Sequence, residues 1–224
     1  MRTKSLLVPL MALGLSAPAF AIDDDSVAAA LKQRLDGDRT GACLAVAVVE
    51  AGGVSRAYGC ADGRAAPRVG AKTAFEIGSV SKTMVAAVLA QEILAGGASL
   101  DDPLADWLPE GTKLPDFEGQ PILLRHVVTH TSGLPALPPG VAITDPNNPY
   151  AAMNAKMLHA ALGRVQLARA PGSAFEYSNF ALMLLSDALA RRTGKDFEVL
   201  LDQRLFTPLG MDGAYVDQRP DGIT

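Results

Sequence analysis

The chain has 224 residues, 49% hydrophobic and 20% charged, with 21 Gly, 15 Pro and 2 Cys. That composition is globular and excludes disordered, collagen-like and disulfide-framework classes. The net charge of −4 comes without a basic cluster, which excludes a phosphate-tracking face for nucleic acid, and no apolar run reaches the roughly 18 residues of a transmembrane helix. Arg2 and Lys4, an apolar stretch over 6–15 and Ala19-Phe20-Ala21 together have the form of an export signal cut after Ala21. The expected domains are therefore 1–21, a signal peptide, and 22–224, a single domain in the periplasm or outside the cell. No Cys lies near the cut, so no lipid anchor is expected.

Residues 26–35 predict an amphipathic helix, with Val27, Ala30 and Leu31 at helical spacing and Gly37 near its end. The apolar run 42–49 predicts a buried strand. Gly52-Gly53 is a turn signal, and 54–61 predicts the returning strand of a hairpin. A helix over 79–95 carries Val80, Met84, Val88 and Leu94, and Gly96-Gly97 stops it. Residues 99–121 read as loop, 122–130 as a short apolar element, and 134–149, with five prolines, as a long surface loop. Helices follow over 150–164, over 180–192 closed by Gly194, and over 197–205 with Asp196 as N-cap. Two strands are marginal as a sheet, so either helices cover this hairpin or further strands belong to it.

The chemistry centres on Ser79-Val80-Ser81-Lys82. On a helix, residues i and i+3 share a face. A Ser hydroxyl needs a base beside it, and a Lys amine serves when burial and a helix N-terminus favour its neutral form. With 7 Lys and 11 Ser, about 0.3 such pairs arise by chance, so the motif alone is weak. Its plain alternative is a capping Ser followed by a solvated Lys. Tyr177-Ser178-Asn179 is the more specific half: on a turn, Tyr177 can pass a proton while Asn179 holds a substrate carbonyl and the Lys ammonium. Its alternative is a turn Tyr with Asn179 capping the next helix.

The stretch Phe75-Glu76-Ile77-Gly78-Ser79-Val80-Ser81-Lys82-Thr83 resembles the nucleophile segment of the serine β-lactamase and penicillin-binding-protein superfamily. Tyr177-Ser178-Asn179, His130-Thr131-Ser132-Gly133-Leu134-Pro135 and Pro208-Leu209-Gly210-Met211 resemble its class C branch, with related esterases and D-alanyl-D-alanine peptidases. The resemblance implies an α/β (α+β) fold of β-lactamase/transpeptidase type, an antiparallel sheet flanked by helices plus an all-α region. It implies an acyl-enzyme on Ser79, proton transfer by Lys82 and Tyr177, and substrate binding by Asn179. The implied function is an active-site-serine hydrolase of amide bonds, β-lactams first, with peptidoglycan peptides or esters as alternatives. No metal or organic cofactor, no nucleic-acid partner and a monomer are expected.

The family's third motif, Lys or His followed by Ser/Thr and Gly, does not follow Tyr177 in this sequence. The resemblance therefore implies a C-terminally truncated member lacking strands and one oxyanion donor. Its rival reading is a non-catalytic remnant, and little or no hydrolase activity and poor solubility are expected of residues 22–224 alone. His126 and His130 stand at i and i+4, a spacing that fits a metal, but without a third ligand they read as structural. Trp107 and Phe117 read as packing residues and Glu176 as a solvated turn residue. If the hairpin turns at Ala51-Gly52, Cys43 faces Cys60 and a disulfide is expected; a turn at Gly52-Gly53 separates them.

Overall fold

The computed structural model describes residues 22–62, 68–142, 145, 148–150 and 153–224. The expected signal peptide over 1–21 lies outside them, as do parts of the proline-rich loop and of the 150–164 segment. The described residues divide into two compact units, 22–73 with Thr224, and 74–223.

In the first unit, α1 (Asp24–Leu35) starts earlier than its apolar spacing indicates, because the acidic run builds its N-terminus. Asp23 is the N-cap and accepts the Ser26 N–H at 2.8 Å, while Asp24 and Asp25 in the first turn and Lys32 and Arg34 in the last complement the helix dipole. Strands β1 (Cys43–Glu50) and β2 (Gly53–Cys60) pair antiparallel from Cys43↔Cys60 to Glu50↔Gly53, so the hairpin turns at Ala51-Gly52. Leu44, Val46, Val48 and Ala57 pack with Val27, Leu31 and Leu35 of α1. The helix lies so close that a Cβ at Gly59 would stand 3.0 Å from Leu35 Cδ1 and 3.2 Å from Leu31 Cδ2, which is why a glycine occupies that position. On the other face Ala45, Ala47 and Val49 are exposed, Val49 by 75%. The expected buried strand is thus covered on one side among the described residues.

Cys43 and Cys60 are joined as a disulfide, with their Cα atoms 4.0 Å apart. The Ala61 N–H donates to the Ala42 carbonyl just outside the pair, at 2.8 Å. Cys43 and Cys60 are therefore a non-hydrogen-bonded pair, the place in an antiparallel ladder where facing residues come closest.

The second unit is helical: α2 (Ser81–Leu94), α3 (Leu124–Val128), α4 (Ala155–Leu162), α5 (Asn179–Thr193) and α6 (Phe197–Leu201). Its centre is α5, whose Phe180, Leu184, Leu185 and Leu189 are fully buried in one core with Val88 and Leu89 of α2, Leu162 of α4 and Leu200 of α6. Each such side chain contributes roughly 1.5–3 kcal/mol of burial. Helices α2, α4 and α6 are shorter than the periodicity suggests, whereas α5 extends one residue beyond it at each end. The 79–95 segment opens with a 3-10 turn, Gly78–Val80, and the 197–205 segment passes from α6 into a π-helical turn, Asp202–Phe206. Trp107 is buried, with the Arg192 guanidinium 4.3 Å from its ring centroid, in the packing role expected of it.

Candidate active site

Ser79 sits in the 3-10 turn ahead of α2, and the turn begins at Gly78, whose φ of +53° other residues adopt only under strain. Ser79 does not cap the helix: the N-cap of α2 is Val80, and no side chain caps it. The neighbouring hydroxyls fold back on the helix backbone, Ser81 Oγ donating to the Gly78 carbonyl and Thr83 Oγ1 to the Val80 carbonyl, both at 2.7 Å. Ser79, exposed to solvent, is left with its hydroxyl turned to two polar groups. Lys82 Nζ donates to Ser79 Oγ at 2.9 Å, one helical turn on. The Tyr177 hydroxyl, 98 residues along the chain, donates to the same oxygen at 2.7 Å. Lys82 Nζ also lies 5.0 Å from the centroid of the Tyr177 ring. The Lys82 ammonium foremost, and then the Ser79 hydroxyl, hold the phenol below its ordinary pKa of 10.0, against a smaller effect of burial.

Tyr177 reaches this place because its loop runs along residues 130–136 and bonds to them repeatedly. The Gly172 N–H donates to the Thr131 carbonyl at 2.7 Å, the Glu176 N–H to the His130 carbonyl at 2.7 Å and the Asn179 N–H to the Ala136 carbonyl at 3.0 Å. The Ser178 N–H donates to His130 Nδ1 at 3.1 Å. The fully buried Ser178 hydroxyl donates to the Pro135 carbonyl at 2.7 Å and accepts the Ala181 N–H at 3.0 Å. The Tyr177 ring stacks on His130 with centroids 4.4 Å apart.

Asn179 opens α5 two residues after Tyr177 and is half-buried. Ser178 is the N-cap of α5, not Asn179, and the hydrogen bond of Lys82 Nζ goes to Ser79 rather than to the Asn179 amide. Glu176 is not simply solvated: its carboxylate pairs with Arg169. The two histidines do not converge as ligands. His126 Nδ1 accepts the Leu123 N–H at 3.1 Å at the start of α3, and His130 lies beyond the end of that helix with its own Nδ1 occupied by Ser178. Among the described residues no group of three or more His, Cys, Asp or Glu could hold a metal ion. His130, read from the sequence only as structural, lies against Tyr177, a contact that its place in the His130-Thr131-Ser132-Gly133 motif did not indicate.

Residues 27–223 match the family model described as Beta-lactamase. The D-alanyl-D-alanine-carboxypeptidase/endopeptidase AmpH of Escherichia coli K12 is 36% identical over 145 residues, 65% of this chain and 37% of that protein. The esterase EstB of Burkholderia gladioli is 31% identical over 233 residues, 95% of this chain and 57% of the esterase. A solved β-lactamase/D-alanine carboxypeptidase from Yersinia pestis, complexed with citrate, matches with a TM-score of 0.68 at 25% identity, covering 85% of this chain and 56% of its own. The chain thus spans 37% and 57% of the length of these two sequence relatives.

Proposed function

Starting from the fact that the chain belongs to the β-lactamase family, we propose that it is an exported active-site-serine hydrolase that opens amide bonds, β-lactams foremost, through an acyl-enzyme on Ser79. The observation that carries this reading is the placement of Ser79 Oγ at 2.9 Å from Lys82 Nζ and 2.7 Å from the Tyr177 hydroxyl. Ser79 Oγ attacks the carbonyl carbon, and its proton passes to the one of the pair that stands deprotonated, the Lys82 amine or the Tyr177 phenolate. Charge develops on the carbonyl oxygen, where the Ser79 backbone N–H is the donor. The C–N bond then breaks as Tyr177 delivers a proton to the departing nitrogen. Water, relieved of a proton by the same pair, attacks the ester and frees Ser79. The Asn179 amide holds the substrate beside this centre. The scheme uses no metal or organic cofactor.

Export rests on the sequence of residues 1–21, and the Cys43–Cys60 disulfide agrees with an oxidising compartment. A second reading, a D-alanyl-D-alanine peptidase, draws on the 36% identity to AmpH and uses the same acyl-enzyme on a peptide. The test is incubation with a reporter penicillin and with a D-alanyl-D-alanine peptide, followed by mass mapping of the adduct. A penicilloyl group on Ser79 that vanishes in Ser79→Ala supports the β-lactam reading, and release of D-alanine without β-lactam turnover supports the peptidase. An adduct that survives Ser79→Ala overturns the assignment.

A further inference from the structure

We propose that His130, as a neutral ring, is the positioning residue that holds Tyr177 on Ser79, and that protonating it releases Tyr177 and slows acylation on the acid side. The inference rests on the acyl-enzyme reading above for its kinetic consequence, but its structural part stands on contacts alone.

His130 occupies a backbone position that suits glycine. Helix α3 ends in a Schellman arrangement: the Thr131 N–H donates to the His126 carbonyl at 2.8 Å and the His130 N–H to the Val127 carbonyl at 3.2 Å. His130 is the left-handed residue of that motif, with φ of +56°. A side chain is kept there at a cost of about 1 kcal/mol or more, and the contacts show what it does. Its carbonyl accepts the Glu176 N–H and its Nδ1 accepts the Ser178 N–H, so it grips the chain on both sides of Tyr177. Between those two bonds its ring stacks on the Tyr177 ring at 4.4 Å, and Phe175 makes an edge contact with it at 5.9 Å. Three independent contacts on three successive residues fix where the phenol points.

Because Nδ1 accepts, the ring carries its proton on Nε2, and an imidazolium cannot make the Ser178 bond. Of the titratable and charged groups on the elements packed against it, Tyr177 stacks on the ring and Lys82 of α2 acts on it through its charge, while the facing loop carries the Glu176–Arg169 pair and its own segment carries Arg125 and His126. Burial first, and then the Lys82 charge, keep the ring neutral below its ordinary value of 6.5. The working state therefore persists into mildly acid solution and fails below it.

The experiment uses the whole chain, with NMR of the His130 and Tyr177 rings across pH beside the rate of acylation by a reporter penicillin. The Tyr177 resonances are expected to move at the midpoint at which His130 titrates. His130→Gly suits the left-handed backbone, so it stays folded, and it is expected to acylate about 10²-fold more slowly. His130→Asn tolerates that backbone and keeps an acceptor for Ser178; its rate is expected within about tenfold of the original, without the acid limb. A His130→Gly protein that acylates at the original rate with the original pH profile overturns the proposal, as do Tyr177 resonances indifferent to His130 titration. If the unaltered chain is acylated at no pH, the hydrolase reading falls, and the co-titration still decides whether His130 governs Tyr177.

Discussion

Residues 22–73 bury Val27, Leu31 and Ala57, with Leu35, Leu44, Val46 and Val48 half-buried around them. Residues 74–223 bury a continuous set from Val85 to Phe206, with α5 in its middle. The small unit is a hairpin covered on one face and closed by a disulfide at its open end. The large unit has enough apolar mass to hold irregular segments on top of it, and those segments bring Tyr177 to the turn and helix that bear Ser79 and Lys82. Its two key loops, 130–136 and 172–178, are not regular structure at all; backbone hydrogen bonds from the second and from Asn179 to the first do the positioning. The difference teaches that a chemical site can rest on loops when the core beneath is large, whereas a two-stranded sheet needs a staple.

The contrast between site and core can be broken first. Lys82→Ala and Tyr177→Phe are expected to lower the acylation rate about 10²–10⁴-fold while leaving the thermal melt in place, because neither side chain belongs to the apolar core. A melt that collapses with either would mean that site and core are one structure. Phe180→Ala, at a fully buried position, is expected to cost about 3–5 kcal/mol in urea unfolding and to lose acylation with it.

The small unit gives the next test. Cys43→Ala with Cys60→Ala opens a loop with a sequence separation of 17, and a loss of about 3 kcal/mol is expected in the hydrogen-exchange protection of β1 and β2. Unchanged protection would show that α1 alone suffices. The smallest effect concerns Glu198. Burial raises its pKa, but the N–H groups of Val216, Gln218 and Asp217, at 2.8–3.2 Å, outweigh that and lower it below 4.5. A lowered folded-state pKa means stability that is present above 4.5 and lost as pH falls through the folded value. The amide shifts of residues 216–218 should titrate together in that range, and Glu198→Gln should abolish the titration.

Much of this was legible in the residues. Ser79 and Lys82 follow from helical spacing, the facing cysteines from a two-residue turn at Ala51-Gly52, and the Asp196 cap from its position. What escaped depends on facts a periodicity does not contain. An all-apolar run such as 42–49 cannot say whether one face or two will be covered, and Val49 proves exposed. Apolar spacing starts the first helix at residue 26, yet Asp23 is its cap and Asp24 and Asp25 form its first turn. Tyr177 meets Ser79 across 98 residues, so only the resemblance brought them together. His130 was hidden because its value lies in a backbone angle and a stacking partner, neither of which a lone histidine announces.

Ser178 follows Tyr177 directly, and while the Tyr177 hydroxyl reaches Ser79, Ser178 faces the interior. Its hydroxyl both gives and receives a hydrogen bond, tying the start of α5 to Pro135. Anyone randomising positions 177–179 together in search of new substrates would find most of the library dead for a reason unrelated to catalysis. Alanine there orphans the Pro135 carbonyl and the buried Ala181 N–H, whereas threonine keeps the hydroxyl. Diversity at this turn is best introduced at Asn179, with Ser178 left untouched as the rivet that the altered site will still need.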